Sequence, residues 1–147
     1  MIYLVSACLV GINCRYDGAN SYSATVAAFL DGRQFMPVCP EVLGGLGVPR
    51  APCRFFGGDG QALLAGSAQI LDRDGNDLSE SFLVGANKAL AIVCSKGITS
   101  ALLNERSPSC GVREVYVGRY KVPGMGVLAA LLVDKGIRVM SDEEPLI

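Results

Sequence analysis

Histidine is absent from this chain of 147 residues. That absence excludes the serine and cysteine triads that use an imidazole base, histidine-bound zinc sites and imidazole proton shuttles. Acid–base chemistry falls instead to carboxylates, Lys, Tyr or Cys. Tryptophan is also absent, and aromatic residues make up only 7%. Charge is scarce and balanced, with 18% charged residues and thirteen basic against fourteen acidic. No basic excess is available to neutralise a phosphate backbone, so no nucleic-acid polymer is expected as a partner. Long hydrophobic runs are missing too. The longest, Phe82 to Cys94, is interrupted by Asn87 and Lys88 and is too short to span a bilayer. The N-terminal MIYLVSACLVG carries no basic stretch ahead of its apolar run, unlike a secretory signal. A cytoplasmic protein without membrane association is expected, in which cysteines stay reduced.

What is present is apolar and well mixed. Half of the residues are hydrophobic and the mean hydropathy is +0.37, which excludes a disordered chain. The length fits one domain, residues 1–147. Ile2–Ser6 reads as a buried strand. Ser21, Tyr22 and Ser23 precede a short helix, Ala24–Leu30, that Asp31-Gly32 ends. Gln34–Val38 reads as a second strand, followed by a segment made irregular by Gly44, Gly45, Gly47, Pro49 and Pro52. Ala68–Leu71 fits a short strand. Asp77-Leu78-Ser79-Glu80 has the spacing of a capping box and opens a helix from Leu78 to about Lys96. Its apolar face is Phe82, Leu83, Ala86, Leu90 and Val93. Ile98–Leu103 is a third core strand, Met125–Lys135 a helix, and Arg138–Met140 a closing strand. Strands alternating with helices predict an α/β fold: a compact three-layer domain with a mainly parallel sheet and helices on both faces.

The six cysteines show neither a CxxC nor a CxC spacing, so zinc-ribbon and thioredoxin-type signatures are missing. Three of them follow predicted core strands. Cys8 lies two residues beyond the first, Cys39 directly after the second, and Cys110 after the loop that leaves the third. Right-handed crossovers place these strand ends on one edge of the sheet, where ligands bind in such folds. Three thiols from distant sequence positions then converge on one pocket, each set in a loop shaped by Ser or Pro. Cys94, within LAIVCSKG, reads as a small buried hydrophobe. Cys14 and Cys53 fit either role. Three thiolates without histidine favour a soft metal centre, either zinc with a further ligand or an iron–sulfur cluster in which one iron lacks a protein ligand. Arg15 and Asp17 fit a salt-linked surface turn. The run Gly44-Gly45-Leu46-Gly47 lacks the Gly-Lys-Ser/Thr ending of a phosphate loop.

SACLVGINCRYDG, PVCPEVLGGLGVPR, SPSCG and GMGVLAALL, in this order, resemble the thiouracil desulfidase-like family. The resemblance covers nearly the whole chain. It implies a [4Fe-4S] cluster held by Cys8, Cys39 and Cys110, with Glu41 as an acid–base group and Ser107 as a hydrogen-bonding group. It also implies a small thiolated substrate, such as a thiolated nucleobase, whose carbon–sulfur bond is hydrolysed. The chain departs from the family pattern at Arg50-Ala51-Pro52-Cys53, where an acidic residue is common, and at Asn104, where Lys is common. Two other functions fit the same residues: a non-enzymatic iron–sulfur or sulfide-carrying protein, and a small-molecule-binding module with buried cysteines. Glu41 also fits the first turn of a helix after Pro40, and Ser107 a capping hydroxyl.

Overall fold

Residues 1–147 are described by a computed structural model. The chain runs β1 (Ile2–Ser6), α1 (Ala24–Leu30), β2 (Gln34–Val38), α2 (Pro40–Leu43), β3 (Cys53–Phe56), α3 (Gly60–Leu64), β4 (Gln69–Asp72), α4 (Ser79–Lys96), β5 (Ser100–Leu103), β6 (Glu114–Val117), β7 (Tyr120–Pro123), α5 (Val127–Asp134) and β8 (Arg138–Ser141). Two four-stranded sheets result. The first has the order β2-β1-β5-β8 and all its pairings are parallel. The second, β4-β3-β6-β7, is mixed, with a parallel β3–β6 pairing between two antiparallel ones.

The parallel sheet follows from its sequences. Its central strands carry Leu4-Val5 and Ala101-Leu102-Leu103, all fully buried, as a sheet covered on both faces demands. Successive residues point to opposite faces. Leu4, Ala101 and Leu103 join the larger core with Phe82, Ala86 and Val93 of α4, Leu128 and Leu132 of α5, and Phe55, Ile70 and Val115 of the second sheet. Val5 and Leu102 join a smaller core with Val26 and Leu30 of α1. Helices thus cover both faces, as the alternating pattern predicts. The second sheet is an addition to that expectation. Its strands are four residues long, and β6 and β7 form a hairpin over the two-residue turn Gly118-Arg119. Gly118 takes φ +58° there, as the first position of a type II′ turn requires.

Two local expectations are corrected. The Asp77-to-Glu80 capping box does not form. Helix α4 begins at Ser79 with no side-chain cap, and Asp77 instead accepts from the Ser79 N–H at 2.9 Å and from Gln69 at 2.9 Å. The Ser79 hydroxyl accepts from the Ile70 N–H, so these side chains tie α4 to β4 rather than closing a reciprocal pair. The buried face of α4 is Phe82, Gly85, Ala86, Ala89 and Val93, with Leu83 and Leu90 half-buried at its margins. Cys94 lies on the opposite face and is exposed, so it is not a core residue.

Close backbone approaches fix both α2 and the start of α5. A Cβ on Gly85 would stand 1.8 Å from the Pro40 carbonyl oxygen, and one on Gly44 would stand 2.1 Å from the Ser81 oxygen. Helices α2 and α4 therefore touch backbone to backbone, which only glycine permits. At the other end of the core, the loop before β6 closes the start of α5. The Val127 N–H donates to the Pro108 carbonyl at 2.8 Å, and the Leu128 N–H to that of Ser109 at 2.9 Å.

Candidate active site

The parallel strands β1, β2 and β5 end on one edge of the first sheet. Beyond β1 the chain turns through Ala7–Val10 in a 3₁₀ helix that carries Cys8. Beyond β2, Cys39 occupies the N-cap position of α2, with Pro40 in its first turn beside Glu41. Beyond β5, the segment 104–110 leads to Cys110. The Ser6 hydroxyl accepts from the Asn104 N–H at 2.9 Å, joining the ends of β1 and β5.

One cavity of about 630 Å³ opens on this edge, and Cys8, Cys39, Cys110, Glu41 and Ser107 all line it. So do Cys14 and Cys53, the latter brought by β3 of the second sheet. Five of the six thiols thus face one space; Cys94 does not. None is in a disulfide. Cys8, Cys14 and Cys110 are buried, and Cys39 and Cys53 are half-buried. No three Cys, Asp or Glu groups stand close enough together to grip a single metal ion. Three or more thiols on one wall, with no imidazole, are the donor type that iron–sulfur clusters take.

The surroundings of these thiols favour the neutral form. A hydrogen bond with Cys14, then burial, then the Glu41 charge push Cys39 far above the ordinary thiol range. Burial, followed by the Glu41 charge, does the same for Cys110, against hydrogen bonds with Ser6 and Ser107 that pull the other way. Burial, with the charges of Asp72 and Glu41, pushes Cys53 up to about 11. Thiolates here require a compensating positive centre, and loading such a centre releases protons.

Glu41 is a carboxylate only 7% exposed. The Cys39 thiol lies 3.7 Å from its Oε2, and the Gly44–Gly85 contact fixes the helix that carries it. Ser107 is indeed a capping hydroxyl, since its Oγ accepts from the Cys110 N–H at 2.8 Å. That bond uses an acceptor lone pair and leaves the hydroxyl proton for another partner. Arg15 and Asp17 form an ion pair at 3.7 Å, and Arg15 donates to the Ser21 hydroxyl at 2.6 Å.

Sequence reasoning missed the supports of this wall. Glu105 is buried and accepts from the backbone N–H groups of Val112 and Arg113, each at 2.8 Å, and of Glu114 at 3.2 Å, and from the Ser141 hydroxyl. Arg106, the one non-glycine residue with positive φ (+69°), pairs with Glu143 and with Glu114. Together they hold the segment between β5 and Cys110. The signal was a carboxylate flanked by a strand end and a Ser-Pro-Ser turn, where backbone N–H groups need acceptors.

Residues 3–144 match the model of the 2-thiouracil desulfurase family. An uncharacterized protein, YbbK of Bacillus subtilis (strain 168), is 41% identical over 144 residues, which cover 96% of this chain and 95% of that protein. Among solved structures, a [4Fe-4S]-dependent thiouracil desulfidase, TudS, superposes with a TM-score of 0.82 at 36% identity, covering 96% of this chain and 90% of that one.

Proposed function

The chain belongs to the 2-thiouracil desulfurase family, and on that premise we propose that it hydrolyses the carbon–sulfur bond of a thiolated nucleobase or a similar thiocarbonyl compound, using a [4Fe-4S] cluster held by Cys8, Cys39 and Cys110. The observation that carries this reading is the meeting of those three thiols with Glu41 and Ser107 in one cavity, each thiol brought by a different strand end. The donor set suits the group: three thiols lining one cavity and no imidazole. When bound, a cluster with three protein ligands supplies a Lewis-acidic iron open to a soft sulfur atom.

The chain's own residues do the rest. Glu41, itself buried in the cavity wall, takes the proton of a water that attacks the thiocarbonyl carbon. Ser107, with its oxygen already bonded to the Cys110 N–H, donates its proton to orient that water or the substrate. The new carbon–oxygen bond replaces the carbon–sulfur bond, sulfur leaves as hydrogen sulfide, and no electrons are exchanged with an outside donor.

The test is sulfide release from 2-thiouracil and other thiolated pyrimidines by protein reconstituted anaerobically with iron and sulfide. Release in proportion to bound iron is expected. Glu41→Gln keeps the iron and lowers release per iron by about 10²-fold, the usual contribution of a positioned base. Bound iron without sulfide release from any thiolated pyrimidine would instead identify a cluster carrier. Near-wild-type turnover in the Gln variant would remove Glu41 from the mechanism.

A further inference from the structure

Asn104 stands immediately after β5, at the cavity edge of the first sheet, and the proposed chemistry leaves it without a task. Both peptide groups that flank it are pinned. Its own N–H donates to the Ser6 hydroxyl at 2.9 Å. The carbonyl of that same peptide, Leu103, accepts from the Asp142 N–H at 3.2 Å. On the other side the Glu105 N–H donates to Asp142 Oδ1 at 3.0 Å. The ends of β1 and β8, the two strands that flank β5, thus hold this residue from both sides.

Its side chain is left free. Asn104 is half-buried and lines the cavity, but its pairing is through the main chain and its amide has no partner in the protein. The hydroxyls of the same wall are already engaged: Ser107 accepts from the Cys110 N–H, Ser6 from the Asn104 N–H, and Ser21 from Arg15. A fixed backbone that presents an unpaired amide at a cavity wall is a recognition group prepared for a ligand. An amide offers an acceptor oxygen and a donor NH₂ in one plane, the pair with which Asn reads the edge of a base in two bonds. A thiolated uracil carries a matching edge beside its thiocarbonyl: the ring N3–H, then the remaining carbonyl. A lysine at this position would donate to the carbonyl but could not accept from the N–H.

We propose that Asn104 is a specificity-determining residue whose amide accepts from the ring N–H and donates to the carbonyl of the thiolated ring, selecting cyclic thioamides with that edge over thiocarbonyl compounds without it. The assignment rests on the desulfidase reading above.

The experiment compares wild type with Asn104→Ala and Asn104→Leu on 2-thiouracil and on 3-methyl-2-thiouracil, which lacks the N–H. Each protein is reconstituted anaerobically with iron and sulfide, and sulfide release per iron is measured as kcat/KM. The metal-free proteins are titrated calorimetrically with uracil and 3-methyluracil, which carry the same edge and no sulfur. Wild type is expected to prefer the unmethylated member of each pair by about tenfold, the scale of one or two neutral hydrogen bonds. Both variants are expected to treat the members of each pair alike, with the iron content and melting temperature of wild type. Methylation alters the ring equally for every protein, so only a contact at that edge changes the ratio. A variant that keeps the wild-type ratio, even with both rates lowered, overturns the proposal, since Asn104 would then only support the loop. So does a wild type without preference. The desulfidase reading fails separately: discrimination between uracil and 3-methyluracil that Asn104→Ala abolishes, without sulfide release from any thiolated pyrimidine, would keep Asn104 as the contact and discard the reaction.

Discussion

Glu105 shows how a single carboxylate sets the geometry of a loop. Burial alone would raise its pKa, but the bonds from Ser141 and from three backbone N–H groups outweigh it, and the carboxyl is held below its ordinary range. A group of this kind stabilises the fold fully above its unfolded pKa, about 4.3, and the contribution is lost as pH falls through the lower folded value. Glu105→Gln is therefore expected to cost about 2 kcal/mol near neutral pH, the scale of hydrogen bonds to a charged group. The gap between variant and wild type should close as denaturation is measured at progressively more acidic pH. A gap that is constant from about pH 7 down to about pH 3 would show that the charge contributes nothing. Cys94 gives the matching control: exposed on α4 and away from the cavity, its replacement by Ser should leave iron content unchanged, whereas Cys110→Ser should abolish it.

At the scale of elements, the approach of α2 to α4 is the most sensitive contact. Gly85→Ala places a methyl group against the Pro40 carbonyl, and overpacking of that kind costs about 1–3 kcal/mol. The helix that must give way carries Glu41 and begins at Cys39. The variant should thus lose melting temperature and sulfide release per iron together, which parallel melts and turnover assays would read. The elements that make this contact were unevenly legible. β1, β2, β5, β8 and the helices α1, α4 and α5 were readable because continuous apolar runs and a helical period are strong signals. β3, β6, β7 and α3 were not. β3 joins β6 through a single registered pair, Phe55 with Val117, and α3 has five residues capped by Asp59, so neither offers a period to detect. The site divides in the same way. Cys8, Cys39 and Cys110 stand at strand ends and could be grouped from order alone. Ser6 could not, because its role comes from a bond between β1 and the residue after β5.

For the whole molecule, the cavity lies at the edge of the sheet and touches the larger core through Val38, Phe82 and Cys110, while the other buried side chains of that core pack away from it. The metal-free chain should remain folded, and loading should stabilise it by mass action, about 2.7 kcal/mol at a free ligand concentration one hundred times Kd. For a chain of this size that is a rise of roughly 5–10 °C in Tm, readable in anaerobic melts before and after chelation. Loss of a cooperative transition on chelation would show that the centre is needed for folding. The seam between the Cys110 loop and α5 offers a gauge of the same coupling. The amides of Gly126, Val127 and Leu128 are held by carbonyls of residues 108–111, so the loop cannot swing away from its ligand position without opening them. These amides lie at the start of a helix but are closed by the loop, and their exchange with deuterium is therefore paced by loop opening rather than by helix fraying. Slow exchange there in the loaded protein, and faster exchange after iron is removed, would let three amides report the occupancy of a centre they never touch.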